Sequence, residues 1–359
     1  ADNMAWKFHW LTKWDEIWNE SFVSQWQRWL DNSPSAHVFF HPALVRAWVE
    51  TYMPLRDIRP CFLIAEASGQ TVFFPLVLWR RNWKNAFQRL LIPVGYSDYD
   101  YHDPIITGEE NLFDWPMFWH DVIEFIKNNA PQSYDRMIID GIRKSFAGSS
   151  SGWRNDTICP WTDLTSFQHA EDFLPSLKSS LRGDLRRQLR RMQEKGKVSS
   201  IIYDRYHEKE ALAELEPFLQ AHSRRWPGAY KAPSFHENII KQGLASGILH
   251  YSVLRMNEIA AAWHLGFVYL DRLYYYLPAQ NEEFDRLSPG KALLLRCVED
   301  AITRKLQIFD HLRGEENYKA GWTDKKETIK TFMANNKKMI SLLSNLCVDK
   351  IKHKISISL

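Results

Sequence analysis

The order of predicted element types repeats along this chain, and that repetition limits its fold more than any other feature. Hydrophobic periodicity predicts a helix over 41–53 and then a hairpin that turns at Ser68-Gly69. A tyrosine-rich loop, GYSDYDYHDP, follows. An amphipathic helix over 112–129 and a short buried strand ending near Asp140 complete this half of the chain.

The second half repeats the order. Helices are predicted at about 207–225 and 235–245, followed by the strands ILHYSVLRM, IAAAWHLGFVYL and RLYYYLPAQ. A helix from about 290 to 306 and a strand ending near Asp310 follow them. Helices that alternate with strands pack on a mixed sheet, and a repeated order indicates duplication. We therefore predict an α/β (α+β mixed-sheet) fold of two similar domains, 1–165 and 166–359.

The composition is that of a globular protein with two domains, and it gives no sign of a nucleic-acid-binding protein. The chain has 359 residues, 45% of them apolar, so each domain can form a core. Many of the 16 tryptophans crowd the first thirty residues, where they are expected to pack under N-terminal helices. A net charge of +3 is too small to indicate nucleic-acid binding.

The sequence also gives little indication of a membrane protein, a disulfide-bonded protein or a metalloprotein. No apolar run reaches the roughly 18–20 residues of a bilayer span, and no signal peptide is evident. The four cysteines are scattered without a CxxC pair, which favours a reducing cytoplasm over a disulfide framework. The thirteen histidines lack an HExxH arrangement, so we predict no metal site.

An arginine-rich helix is predicted within 174–198, ending at Gly196. It carries an apolar stripe at spacings of four and three. Arginines four residues apart repel each other unless something acidic lies opposite. The helix then presents a solvated face, contacts acidic residues of the partner domain, or binds phosphate oxygens. The candidates for phosphate or RNA contacts are Arg182, Arg186 and Arg190.

A Pro-Gly turn leads into the helix at 290, and backbone N–H groups at a helix start can bind an anion. The turn is not a Walker A loop, because no glycine precedes Gly290 at the required spacing and Ala292 replaces the hydroxyl residue. It is not GxGxxG either. The predicted cofactor-binding residues are Ser288, Pro289, Gly290, Lys291 and Ala292.

Residues 286–322, RLSPGKALLLRCVEDAITRKLQIFDHLRGEENYKAGW, resemble the C-terminal signature of the CelD-like acetyltransferases. That family is a branch of the GNAT superfamily (GCN5-related N-acetyltransferases) and is related to the Fem aminoacyltransferases. SLRGDLRRQLRRMQEKGKV resembles the arginine-rich helix that opens the family's second domain, and GYSDYDYHDPII resembles its first-domain loop. The matching pieces are Ser288-Pro289-Gly290, the Asp310 strand, Gly314-Glu315 and Tyr318-Lys319.

The resemblance implies tandem GNAT-like acyltransferase domains. The donor would be acetyl-CoA or another acyl-CoA, held against the meander and the helix at 290 without a metal. The superfamily's pyrophosphate loop reads Arg/Gln-x-x-Gly-x-Gly/Ala, whereas Asp285 and Ser288 occupy two of those positions here. The acceptor would be an amine of a sugar nucleotide, amino acid or polysaccharide precursor.

Transfer from a thioester to an amine needs a base, donors for the oxyanion and an acid for the leaving thiolate. Tyr318 lies just past the Asp310 strand, where GNAT enzymes often place a general-acid tyrosine. His264 is a candidate base because histidine titrates near neutrality. Asp310 and Glu315 are alternative bases or orient the acceptor. The predicted substrate-binding residues are Arg313, Lys319, Tyr99, Asp100 and His102.

Two alternatives stay open. A Fem-like transferase would take its acyl group from aminoacyl-tRNA, add it to a peptide or peptidoglycan precursor, and contact RNA through the arginine-rich helix. A non-catalytic protein of envelope polysaccharide assembly would keep the fold for binding only.

Overall fold

The computed structural model describes residues 6–82, 85–228, 232, 234–314, 316–319 and 321–357. The strands are β1 (Lys7–Leu11), β2 (Ile58–Ala67), β3 (Gln70–Trp79), β4 (Leu90–Pro93), β5 (Ile105–Ile106), β6 (Arg136–Arg143), β7 (Trp153–Asp163), β8 (Val198–Tyr203), β9 (Leu249–Met256), β10 (Ile259–Tyr269), β11 (Arg272–Gln280), β12 (Ile308–Asp310) and β13 (Lys325–Asn335). The α-helices are α1 (Trp14–Ile17), α2 (Glu20–Asp31), α3 (Pro42–Arg56), α4 (Trp115–Asn129), α5 (Phe173–Ser176), α6 (Ser179–Lys195), α7 (Glu208–Ala213), α8 (Leu215–Arg225), α9 (Phe235–Ser246), α10 (Pro289–Thr303) and α11 (Met339–Ile357). Short 3-10 turns connect several of these elements.

The chain forms two compact units. The first comprises Ala1–Thr157 and Thr328–Leu359, and the second comprises Ile158–Glu327. Within the described residues, no helix combines the length and apolar character needed to cross a bilayer.

The first unit is built on strands in the order β1-β2-β3-β4-β6-β13, and β5 pairs with β3. The predicted hairpin is confirmed: β2 and β3 pair antiparallel around Ser68 and Gly69, whose φ angles are 45° and 79°. Two consecutive left-handed residues give the turn a twist that matches the strands. Of the N-terminal tryptophans, Trp26 of α2 is fully buried and its indole N–H donates to the Phe40 carbonyl at 2.9 Å. The others are half-buried: Trp6, Trp10, Trp14, Trp18 and Trp29.

The C-terminal segment belongs to the first unit, whereas the predicted second domain, 166–359, includes it. β13 pairs antiparallel with β6, with Asn335 opposite Arg136. The Arg136 guanidinium also binds Asp349 of α11 at 2.9 and 3.0 Å. These pairings join residues far apart in sequence, which local periodicity does not reveal. As domain bounds, 1–165 and 166–359 stay a prediction.

The second unit has strands in the order β7-β12-β11-β10-β9-β8. The predicted order of helices, three-strand meander, helix and strand is confirmed by α7 to α9, β9 to β11, α10 and β12. The predicted arginine-rich helix is α6, which ends at Gly196 and buries Leu185 and Met192 of its stripe. β7 and β8 were not predicted, and neither were β1, β4, β5 and β13 of the first unit.

Candidate active site

β11 leaves part of its edge without a strand partner. β12 pairs parallel with β11 only over Arg272–Tyr274. β10 accompanies β11 on its other side as far as Gln280. Among the described residues, no strand therefore covers the outer edge of β11 over 275–280. Such an edge can pair with an extended ligand that carries amide groups.

A cavity of about 280 Å³ lies beside this edge, between the end of α8 and the start of α10. It brings the predicted loop residues Ser288, Gly290 and Lys291 together with the predicted acid Tyr318. Its volume is close to the lower end of the usual range for ligand sites. The other lining residues are Ala221, His222, Arg224, Arg225, Trp226, Tyr275, Pro278, Ala279, Gln280 and Leu294.

The backbone N–H groups at the start of α10 already have acceptors. Gly290 N donates to Gln280 Oε1 at 2.9 Å. The Lys291 and Ala292 amides donate to the Ser288 carbonyl at 3.1 and 3.5 Å, and Pro289 has no N–H. An anion at this helix end must therefore displace the Gln280 carboxamide.

The charge of Lys291 is also compensated. Its Nζ lies 2.8 Å from Asp184 Oδ2 on α6. The hydrogen bond from Lys291, aided by its charge and by Arg187, holds the Asp184 pKa below its usual value despite partial burial. A lysine in the first turn of a helix opposes the helix dipole, and Asp184 offsets that cost. Sequence reasoning missed Asp184, which stands among the arginines of LRGDLRR.

A second network fixes Gln280. Its Nε2 donates to Asp285 Oδ1 at 2.8 Å, and Arg224 donates to both Asp285 oxygens at 3.1 Å. Burial raises the Asp285 pKa, but Arg224 and Gln280 outweigh burial and hold it below its usual value. Asp285 therefore stays ionised at the position where the GNAT motif carries a basic residue, and orients the side chain that covers Gly290.

Arg225 is a cation at the cavity for which the described residues supply no acidic partner. Its guanidinium lies 4.6 Å from the ring centre of Trp226 and 5.0 Å from that of Tyr318. Within the described part of the chain, Arg225 makes no ion pair. A guanidinium held by aromatic faces keeps its N–H groups available for a carboxylate or phosphate. The sequence signal was weak, since Arg224 and Arg225 look like ordinary basic residues at a helix end.

The loop that carries Tyr318 is clamped from within. Lys319 is buried, and its Nζ lies 2.8 Å from Glu316 Oε2 and 2.5 Å from the Arg313 carbonyl. Tyr318 thus borders the cavity on a short turn, Asn317–Lys319, that this lysine holds in place. Lys319 serves the fold here rather than facing the cavity, and the Arg313 carbonyl is part of the clamp.

The candidate bases lie elsewhere. His264 is fully buried, its ring stacks on Tyr275 at 4.2 Å, and its Nε2 accepts from the Tyr276 amide at 3.1 Å. Burial, followed by the effect of His250, lowers its pKa well below the usual value. Asp310 is buried in an ion pair with Arg272 at 2.8 Å. Neither side chain lines the cavity. Glu315 lies outside the described residues.

Tyr275 is a cavity residue that sequence reasoning missed. Burial, reinforced by Tyr318, raises the Tyr275 pKa well above its usual value, so the phenol stays protonated and can donate a hydrogen bond. In the sequence, Tyr275 is the second of three consecutive tyrosines in β11. Such a run predicts a strand but gives no tyrosine a particular role.

Gly266 allows the bulge in β10 that positions His264 and Tyr276. A Cβ at this position would lie 2.3 Å from the Tyr274 carbonyl oxygen and 2.4 Å from the His264 ring. We expect Gly266→Ala to lower the free energy of unfolding by roughly 1–3 kcal/mol, measured by urea denaturation.

The matched control is Gly183→Ala on α6, where the added methyl meets no atom within 4 Å. It should leave stability unchanged or raise it, because alanine favours a helix. Equal effects of the two substitutions would contradict the tight packing inferred at Gly266.

In the tyrosine-rich loop GYSDYDYHDP of the first unit, two of the predicted substrate-binding side chains are buried. Tyr99 is buried and its hydroxyl donates to the Leu44 carbonyl at 2.6 Å. His102 is fully buried, with Nδ1 3.0 Å from the Asp140 carbonyl. Asp100 is partly exposed. Tyr99 and His102 therefore stabilise the loop, and their predicted contacts with substrate remain a prediction.

The three candidate arginines of α6 have different surroundings. Arg182 donates to the Pro175 carbonyl at 2.8 Å, and Arg190 lies 3.9 Å from Glu194. Arg186 is exposed and makes no ion pair with any described residue. Of the three, we therefore keep Arg186 as the candidate for a phosphate contact.

His250, His264 and Cys297 form a buried group whose potential ligand atoms lie within 4.8 Å of one another. Because His264 Nε2 accepts a hydrogen bond, Nδ1 carries the proton and faces Cys297 Sγ at 3.8 Å. Burial raises the pKa of the Cys297 thiol to about 12. These protonation states suit internal hydrogen bonding, and we assign no metal to the group.

Comparison with known proteins supports this description. Residues 179–320 match the Acetyltransferase (GNAT) domain family. No curated protein matches the chain. The structure of FemX is similar, with 12% identity and a TM-score of 0.59, covering 90% of this chain and 98% of FemX. A conserved protein of unknown function from Bacteroides thetaiotaomicron has 9% identity and a TM-score of 0.56, covering 91% of this chain and all of that one (100%).

The predicted mixed α/β fold class is confirmed, and a GNAT domain match covers 179–320; a second GNAT-like domain in the first half stays a prediction. The matched segment runs from α6 to the Tyr318 turn and contains the meander, the open edge of β11 and the cavity. At these identities the likeness to solved structures concerns the fold alone.

Proposed function

We propose that this protein is a GNAT-type N-acyltransferase that moves an acyl group from acyl-CoA to an amine. The observation that carries the proposal is the cavity beside the open edge of β11, which unites Tyr318 with the loop before α10 inside the GNAT-matching segment. GNAT domains generally use acetyl-CoA, and the amide groups of its extended arm suit an unpaired strand edge.

In the proposed reaction the acceptor nitrogen attacks the thioester carbonyl and forms the new C–N bond. The C–S bond then breaks, and the Tyr318 hydroxyl gives its proton to the leaving sulfur. The neutral Tyr275 phenol at the same cavity donates a hydrogen bond to the oxygen that becomes negative. The base that removes the amine proton stays a prediction, with Glu315 as the candidate.

The cavity offers only some of the groups that would bind the phosphates of the donor. Lys291 and Arg225 supply positive charge at the cavity. However, the Gly290 N–H already donates to the Gln280 side chain, and the Lys291 amine already pairs with Asp184. Binding must exchange these internal contacts for contacts to phosphate. Donor affinity should therefore depend on both partners of the Lys291–Asp184 pair.

Two substitutions in this pair should have opposite effects. Lys291→Glu is expected to weaken acetyl-CoA binding roughly tenfold, because it removes a charged donor. Asp184→Asn is expected to strengthen binding by a few-fold, because it releases the Lys291 amine. Isothermal titration with acetyl-CoA gives both dissociation constants.

Arg205→Glu, which reverses an exposed charge outside the cavity, is the matched control and should bind acetyl-CoA like the unmodified chain. If no CoA thioester binds at all, the proposed donor is wrong. If Lys291→Glu binds as tightly as the unmodified chain, the phosphates lie elsewhere.

The proposed acceptor is an amine of a sugar nucleotide, amino acid or polysaccharide precursor. The support is the resemblance of 286–322 to CelD-like acetyltransferases, together with Arg225, whose accessible guanidinium suits an acidic group on an acceptor. Thiol release in the presence of candidate amines, measured with a chromogenic disulfide, ranks these acceptors.

A second candidate is transfer from aminoacyl-tRNA. The observation that favours it is the internally satisfied start of α10, since a donor without a pyrophosphate at this position would not need those N–H groups. Exposed Arg186 on α6 would then contact RNA phosphate. Binding to tRNA that falls steeply with salt, combined with no binding to CoA thioesters, would select this candidate over the first.

A further inference from the structure

α11 is attached to the first unit by polar side chains. Ser341 Oγ donates to Asp135 Oδ1 at 2.7 Å, and Asn345 Nδ2 donates to the Asp135 carbonyl at 2.9 Å. Asp349 accepts two hydrogen bonds from Arg136 at 2.9 and 3.0 Å. Ser341, Asn345 and Asp349 recur every four residues, so polar side chains predominate on the side that faces the first unit, where Val348 is also buried.

The opposite face of α11 is aliphatic and exposed, the reverse of an ordinary surface helix. The exposed side chains recur at helical spacing and include Phe87, beside Ser344, at 60% exposure. Aliphatic groups left in water in this number mark a contact surface. We call this surface the outer face; its helical members, with their exposed fractions, are Met339 (76%), Ile340 (67%), Leu342 (41%), Leu343 (60%), Leu346 (57%) and Ile351 (49%).

Lysines flank the outer face at both ends. Two precede the helix and three lie in its last turns, and all are exposed. The carboxylate of this stretch, Asp349, is bound to Arg136. The lysines are Lys337, Lys338, Lys350, Lys352 and Lys354.

This charge pattern disfavours a second copy of the chain as the occupant. In a parallel pair of α11 helices, each group of lysines would lie next to the same group of the second copy. In an antiparallel pair the lysines before one helix would meet those at the end of the other. Both arrangements bring like charges together at the rim of the contact.

The composition of the outer face also fits a protein partner poorly. Protein interfaces are enriched in tyrosine, tryptophan and arginine and depleted in lysine. The outer face of α11 combines methionine, leucine and isoleucine with lysine. Aliphatic side chains bordered by lysines are the pattern of helices that lie on anionic bilayers.

We propose that the outer face of α11 docks this protein on the surface of an anionic lipid bilayer. The helix lies in the plane of the surface, with its aliphatic side chains at the boundary between headgroups and acyl chains. The flanking lysines contact acidic headgroups. The polar contacts to Asp135 and Arg136 orient the helix on the first unit. This inference does not depend on the proposed acyltransferase activity.

The test is flotation of the full chain with vesicles of phosphatidylcholine alone or with one third phosphatidylglycerol. Each lysine near the surface strengthens binding to acidic lipid roughly fivefold, so we expect at least a tenfold preference for the anionic vesicles, reduced by salt. The double variant Leu343→Glu/Leu346→Glu should lose at least tenfold in vesicle affinity.

The matched control is Ile259→Glu/Leu270→Glu, which places two glutamates at exposed aliphatic positions of the second unit. It should bind like the unmodified chain. A second readout uses Cys347, the exposed one of the four cysteines. An environment-sensitive fluorophore on Cys347 should shift its emission to the blue with anionic vesicles only.

Three results would overturn the proposal. One is an absence of binding to both kinds of vesicle, whether or not a protein partner is found. The second is vesicle binding that Leu343→Glu/Leu346→Glu leaves unchanged. The third is a concentration-dependent dimer that this variant dissociates, combined with no vesicle binding, which would assign the outer face to a second copy.

Discussion

Tyr318→Phe is expected to slow release of free thiol from acyl-CoA by about 100- to 1,000-fold, because it removes the proposed proton donor for the leaving sulfur. The ring stays in place, so the cation–π contact with Arg225 at 5.0 Å is retained and donor affinity should change less than about twofold. Single-turnover measurements with a thiol reagent, together with titration of acetyl-CoA, separate the two quantities.

The leaving group provides a sharper test of the same role. An aryl thioester expels a weakly basic thiolate that needs little help from an acid, so the defect of Tyr318→Phe should shrink with that donor. Tyr206→Phe, at an exposed tyrosine of the same unit, is the control and should transfer at the unmodified rate. A Tyr318→Phe defect of the same size for both donors would point to a positioning role instead of proton donation.

Acid is expected to destabilise the protein progressively between pH 6.5 and 4. Burial is the main cause of low histidine pKa values at several positions, and unfolding exposes these side chains and restores a value near 6.5. The unfolded chain then binds more protons than the folded chain, so the stability present above pH 6.5 is lost as pH falls. The histidines concerned are His41, His222 and His236, with pKa values of about 4, and His311, with a value of about 3.

Each of these histidines should contribute on the order of 1–3 kcal/mol to the loss. Urea denaturation at a series of pH values measures it. His311→Gln keeps an amide for Thr162, which lies 3.1 Å from the histidine Nε2, and should flatten the pH profile. His120→Gln, at an exposed histidine, should leave the profile unchanged. A stability that does not vary from pH 7 to 4 would contradict neutral burial of these residues.

Local pattern was sufficient for several elements, two of which lie at the candidate site. The four-and-three spacing of α6, the Ser68-Gly69 turn and the Pro-Gly start of α10 all depend on neighbours within a few residues. A resemblance over 286–322 then pointed to Tyr318 and the α10 loop, and the fold places both at one cavity.

Partners distant in sequence were outside the reach of local pattern. Lys291 and Asp184 are 107 residues apart, and nothing in the sequence around either residue identifies the other. The same limit applies to His264, whose strand position was clear but whose burial under Tyr275 was not. The sequence analysis predicted no element over 339–357, and the exposure of the aliphatic side chains of α11 became evident only from the folded chain.

The sequence by itself therefore determined the mixed α/β class and the order of the main helices and strands around the candidate site, because these follow from patterns among near neighbours. Only the tertiary structure decided which groups at the start of α10 are already satisfied, which unit receives β13, and which face of α11 meets water. Those outcomes depend on where hydrogen-bonding partners such as Gln280 and Asp135 come to lie once the chain has folded, and that position is set by the packing of the whole unit.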